Sequence, residues 1–307
     1  MSFRTLLTLT LASAPLWGEQ AGSLYGPNSG YVFDEPSRSL RVINGVPGAA
    51  YLGPAIATDL DFATVSPDGT LAVTLHDGQL ALLRLESGET TALGMSERIA
   101  RAAWSGDSVA LSGANLAIFR KLKSKPESVG LAGLGTRIRA IASDGESVFA
   151  AAEDGIYLLN SSGARLIAPL EDPTAVALQG DTLYAASKAR QQVFTIRHWT
   201  ESAEIATLAS GFEDPEALAL NRDGSVLFVA DGASRSLVSL NALTGERLGS
   251  LELDFEPSRA DRLSSGLLLL NSRAKAMDPV QVLDTAQRAV FFIPAQDLSS
   301  SPVSVED

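Results

Sequence analysis

Six arginines, Arg98, Arg101, Arg137, Arg139, Arg259 and Arg262, stand just ahead of, or at the start of, short apolar runs along this 307-residue chain. A guanidinium is always charged and offers a planar fork of donors that matches a carboxylate or phosphate bidentately. Arg101 and Arg139 hold the same place in two successive copies of a repeat. Arg137 and Arg262 fall close to that place, and Asp61 begins the matching run of an earlier copy. Two readings stand. Arg101, Arg137, Arg139 and Arg262, with Asp61, form a ligand site for a small anionic group, or the arginines pair with Asp61, Glu97 and Asp261 and bridge neighbouring units. The second is favoured.

Other chemistries find less support. The only histidines are His76, in a His76-Asp77-Gly78 turn, and His198, beside Trp199, and they fall in different copies without metal-ligand spacing. No GxSxG nucleophile turn occurs. Zero cysteines exclude disulfides, thiolate metal sites and cysteine nucleophiles. Paired carboxylates for glycoside hydrolysis cannot be singled out in a chain with 36 acidic residues. The formal charge of −12 argues against phosphate-backbone binding, so no nucleic acid partner is expected.

The elements that must carry these side chains are strands. From Gly211 to Gly249 four apolar runs, Ala217–Leu220, Val226–Ala230, Leu237–Leu240 and Arg247–Leu251, are divided by Asp223-Gly224, Asp231-Gly232 and Thr244-Gly245. Turns of this chemistry between apolar runs signal hairpins. Fainter copies begin at Phe62, Ala102, Ile138, Thr174 and Ala260. Their second strands start at Leu71, Val109, Val148, Leu183, Val226 and Leu267, about 35–43 residues apart, the period of propeller blades. Helical periodicity is absent from the mature chain.

Each four-stranded unit is apolar on both faces and must be sandwiched between neighbours, which favours a ring over an open stack. Gly30–Ile43 reads as two further strands that close the ring. It resembles Pro279–Ile293, an apolar run, an Asp, an Arg and a second apolar run, as though both chain ends carried equivalent pieces of one repeat. The expectation is an all-β propeller of four-stranded antiparallel blades, seven favoured and six the alternative, as a single domain over residues 21–298. A monomer is expected. Residues 299–307 read as a disordered tail. Met1–Gln20 has the layout of a secretory signal, with Arg4, an apolar stretch Thr5–Trp17 and cleavage near Gly18 or Ala21. That stretch is shorter than the roughly 20 residues of a spanning helix. Export to a periplasmic or secreted location follows, with no transmembrane span in the mature form.

At Asp214–Glu246 the chain resembles the NHL, YVTN and SMP-30-like group of β-propellers. The match rests on Pro215, Asp223-Gly224, Leu227-Phe228-Val229-Ala230-Asp231 and Thr244-Gly245, with an echo at Ser66–Thr74. The other copies match by spacing. No Trp-Asp dipeptide or Gly-His pair points to WD40 repeats instead. The resemblance implies a propeller fold. Through its SMP-30-like members it also implies a Ca²⁺ or Mg²⁺ site whose ligands here would be Glu216, Asn221 and Asp231. Companion copies place Ser66, Ser105, Ser143 and Gln179 where Asn221 sits, so no metal or other cofactor is expected. The favoured function is an exported non-enzymatic binding scaffold for a protein partner or small anionic ligand. A divalent-metal-dependent lactonase or esterase is the alternative. A propeller docked within an envelope assembly is a third reading.

Overall fold

The computed structural model describes residues 27–264 and 266–294. Domain boundaries placed beyond them, the signal over residues 1–20 and the tail over residues 299–307, lie outside the described residues. The remainder is a seven-bladed all-β propeller. The first blade contains β1 (Asn28–Asp34), β2 (Ser39–Asn44) and β3 (Tyr51–Ala57). The second runs through β4 (Phe62–Val65), β5 (Leu71–His76), β6 (Gln79–Arg84) and β7 (Thr90–Met95), and the third through β8 (Ile99–Ser105), β9 (Ser108–Gly113), β10 (Leu116–Arg120) and β11 (Glu127–Gly130). The fourth holds β12 (Ala140–Ser143), β13 (Val148–Ala152), β14 (Gly155–Asn160) and β15 (Gly163–Pro169). The fifth holds β16 (Pro173–Gln179), β17 (Thr182–Ser187), β18 (Gln192–Arg197) and β19 (Glu204–Ser210). The sixth is β20 (Pro215–Leu220), β21 (Val226–Asp231), β22 (Ser236–Asn241) and β23 (Arg247–Glu252). The last is β24 (Asp261–Arg262), β25 (Leu267–Leu269), β26 (Val280–Asp284) and β27 (Ala289–Ile293).

Burial follows position within the blade. The second strands are covered on both faces by neighbouring blades, so all of β13 and β21 is buried. They read as continuous apolar runs and not as alternation. Outer strands such as β23 are largely exposed on both faces. Seven apolar clusters occupy the seven spaces between successive blades. Val32, Ile43 and Leu52 of the first blade pack with Leu269, Val282 and Ile293 of the seventh, so the ring is shut by a core like the others. Phe228 is wholly buried between the sixth and seventh blades. Burial of such a side chain contributes about 1.5–3 kcal/mol relative to leaving it exposed.

The turns follow their residues. Gly224 and Gly245 sit at φ 76° and 73°, the left-handed region that favours glycine. In the Asp231-Gly232 turn, however, the left-handed residue is Arg235 at φ 49°, after a bond from Arg235 N–H to the Gly232 carbonyl. Arg38 holds the same role after Glu35-Pro36-Ser37, at φ 48°. This four-residue turn plus a left-handed residue is a common hairpin solution.

One sequence expectation is corrected. The hairpin β1–β2 is not equivalent to β26–β27. Tyr31, Val32 and Phe33 of β1 line the central channel, whereas β27 is the outer edge of its blade. The alignment that fits the fold sets Val32-Phe33-Asp34 against Val229-Ala230-Asp231, making β1 a second strand. The shared Asp and Arg reflect the same kind of hairpin at two different depths in the blade.

Candidate functional site

The first strands of blades two to seven converge on a central channel of about 1520 Å³. Asp61, Arg98, Arg101, Arg137, Arg139, Glu216, Arg259 and Arg262 all line it, so the sequence register did place one set of side chains around one opening. Inner strands are also stitched to each other. Trp104 Nε1 donates to Thr64 Oγ1 at 2.9 Å, and Thr174 Oγ1 donates to the Pro215 carbonyl.

The arginines divide into two groups. Arg139 pairs with Asp172, and Arg259 is held by Asp261, by Glu35 at 3.5 Å and by Ser272 Oγ at 3.2 Å. Asp61 receives Arg38 at 2.7 Å and the Asp77 N–H at 3.0 Å. Asp61, Arg139 and Arg259 are therefore spoken for, with partners other than those the sequence suggested for the first two. Arg262 donates to the Leu220 carbonyl at 2.9 Å, and burial holds its pKa below the ordinary arginine value.

Arg101 differs. Its Nε donates to the Arg139 carbonyl at 2.6 Å and its Nη1 to the Ala100 carbonyl at 2.8 Å, which fixes the guanidinium without neutralising it. Burial lowers its pKa, Arg259 and Arg137 act in the same direction, and Asp261 opposes them. Third, fourth and seventh blades thus meet electrostatically at this one cation. No carboxylate pairs with Arg98, Arg101 or Arg137 among the described residues. Arg101 remains charged at neutral pH and is oriented to accept an anion.

The three residues implied as cation ligands do not fit a cation. Asp231 is buried, and its two oxygens accept the Glu213 N–H at 2.8 Å and the Asp214 N–H at 2.7 Å. The Asn221 oxygen accepts the Val226 N–H at 3.0 Å, closing the turn at the opposite end of β20. Glu216 alone faces the channel, with Lys188 at 4.0 Å. Both histidines are exposed: His76 Nδ1 lies 2.6 Å from the Asp59 carbonyl, and His198 lies 3.4 Å from Glu204.

Sequence reading missed a second charged group at the mouth. Lys188, from the turn after β17, pairs with Asp214 ahead of β20 and approaches Glu216. Burial raises the Glu216 pKa and the Asp214 charge adds to it, while Lys188 opposes both. The polar turn at Lys188–Gln192 was visible in the sequence, but nothing in it showed the reach into the next blade.

No family model matches the chain, and no curated protein matches its sequence. Solved structures do match. A functionally unknown protein from Desulfotomaculum acetoxidans is 13% identical with a TM-score of 0.60, over 86% of this chain and 94% of that one. A chain of the mitotic checkpoint complex is 13% identical with a TM-score of 0.57, over 96% and 100%. A chain of a nidogen/laminin complex is 18% identical with a TM-score of 0.55, over 71% and 90%. At such identities the likeness is one of fold, and it agrees with the seven-bladed ring.

Proposed function

We propose that this protein is an exported, non-enzymatic binding scaffold that receives an acidic group of a protein partner at the mouth of its channel. Arg101 carries the reading. It is a fixed, partly buried cation without a carboxylate partner, in a chain whose formal charge is −12. Arg137 and Arg98 supply further positive charge beside it, and the paired Arg139 and Arg259 frame the opening. Recognition of a carboxylate by such a fork needs no metal and no titrating base. Export is supported by the layout of Met1–Gln20. Two of the similar solved chains come from protein complexes, which is consistent with a docking role. Kinship with the NHL, YVTN and SMP-30-like group remains part of this proposal, on the strength of Asp214–Glu246.

Calorimetry with an oligoglutamate peptide tests the reading. Binding is expected, with Arg101→Ala weakening it tenfold or more, about 1.4 kcal/mol per factor of ten. Arg38→Ala, which removes a cation already paired with Asp61, should leave it nearly unchanged. Equal binding by the parent protein and Arg101→Ala would overturn the proposal.

A further inference from the structure

Blades two to seven each have an inner strand beside the channel; the first blade has none among the described residues. Its β1 pairs with β2 on one side and with no strand on the other. Tyr31, Val32 and Phe33 consequently face the channel from a second-strand position. An unpaired strand edge is a template for another strand.

Chain order identifies the occupant. At every junction between blades, the outer strand of one blade is followed by the inner strand of the next. After β27, the outer strand of the seventh blade, the next place around the ring is the vacant inner place of the first. Ile293 pairs with Val280, so the chain leaves β27 at the end where the turn before β26 lies. That turn carries Arg273, which reaches Asp34 at the end of β1. The chain therefore leaves β27 on the face from which the other inner strands begin.

Length and sequence agree. The connection from β23 to β24 spans residues 253–260. A connection of the same length from Pro294 ends at Ser301 and starts a strand at Pro302, over Pro-Val-Ser-Val-Glu-Asp. The inner strands β16 and β20 also begin with proline, at Pro173 and Pro215. Pro215 lies opposite Asp231, Ala217 opposite Ala230 and Leu218 opposite Val229. The same register sets Pro302 opposite Asp34, Ser304 opposite Phe33 and Val305 opposite Val32. It also brings the acidic end, Glu306-Asp307, toward the level of Arg262, which has no carboxylate partner among the described residues.

We propose that residues 302–307 are the inner strand of the first blade, so that the ring is locked by β-pairing between the two ends of the chain. A chain without cysteines makes the test clean. Phe33→Cys with Ser304→Cys in the full chain should form an intramolecular disulfide, read as a linked peptide by mass spectrometry. Adjacent antiparallel strands place Cα atoms about 4.5–5.5 Å apart, within disulfide reach. Hydrogen exchange gives the second reading: β1 amides should be protected in the full chain and lose protection when residues 296–307 are removed. Two reactive but unlinked thiols would overturn the proposal. So would β1 protection that survives this truncation, or that disappears only when residues 1–24 are removed, which would assign the place to the N-terminal segment. If the truncated chain does not fold, the cross-link in the full chain still decides.

Discussion

Asp231 and Asp34 occupy the same place in two blades and do different work. Each ends a second strand, each is buried, and each precedes a turn whose left-handed residue is an arginine. In the sixth blade the carboxylate grips the backbone just ahead of β20, through the Glu213 and Asp214 N–H groups. In the first blade it takes the guanidinium of Arg273 at 2.6 Å, from the seventh blade. Arg273 also donates to the Asp278 carbonyl at 2.6 Å and to the Ala276 carbonyl, so it folds its own turn while reaching across the seam. One side-chain type thus serves as a local clamp inside a regular blade and as a latch where the ring closes.

The largest effect should come from removing the latch. Both side chains are almost fully buried, at 4% and 3% exposure. Removing one member of such a pair leaves the other charge uncompensated and typically costs about 3–5 kcal/mol. Arg273→Ala should therefore lower the unfolding free energy by about that much in denaturant titration. A cycle with Asp34→Ala should show strong coupling between the two sites. Arg41, 3.8 Å from Asp34, is the nearest substitute cation, and a loss below about 1 kcal/mol would mean that it takes over the role.

A smaller loss is expected from the clamp. Asp231→Ala removes two hydrogen bonds to a charged acceptor, a change of about 1.5–3 kcal/mol for a bond of this kind. It frees backbone groups next to an open channel, where water replaces part of the loss. Asp231→Asn should cost less, because the amide still accepts from one of the two N–H groups. If the asparagine and alanine variants fall equally by thermal denaturation, the clamp is electrostatic and its geometry matters little.

How well the sequence could be read follows the same division. The sixth blade was legible because each local signal agrees with the packing: Asp223-Gly224 and Thr244-Gly245 at two turns, and Val226–Ala230 apolar on both faces. The channel-facing arginines followed from that register, since equivalent positions in a ring must face one opening. Their pairing did not follow. Whether Arg139 meets Asp172 or Arg101 meets nothing depends on side chains contributed by separate blades, and no spacing within one repeat encodes it. The seam was hidden for a further reason. β24 has only two residues, so the seventh copy shows little inner-strand pattern, and the similarity of Asp34 to Asp284 masked the stronger match of Asp34 with Asp231. Glu216 and Asp231 looked like ligands because they are oxygen donors in a family-like blade. Their hydrogen bonds show that backbone and turn geometry consume one of them.

The clamp also has a consequence at the channel that distinguishes the two blades. By holding the Asp214 backbone, Asp231 keeps the Asp214 carboxylate next to Glu216 in a partly buried place. Burial and the neighbouring charge raise the Glu216 pKa. The folded protein then binds a proton there more tightly than the unfolded chain does. Stability attached to this group is present at low pH and falls as pH rises from the unfolded value through the raised folded one. At neutral pH the ionised Glu216 is a small liability, offset in part by Lys188. Glu216→Gln removes it, so the variant should match or slightly exceed the parent in thermal midpoint at pH 7. The expected gain is within about 0.5 kcal/mol, as for most partly exposed sites. The difference should vanish once the pH falls below the unfolded glutamate range, where both side chains are neutral. A glutamine variant less stable than the parent at pH 7 and equal to it in acid would show the opposite sign. Glu216 would then be held ionised by Lys188, and the channel side of the sixth blade would be stabilised by a latch of its own.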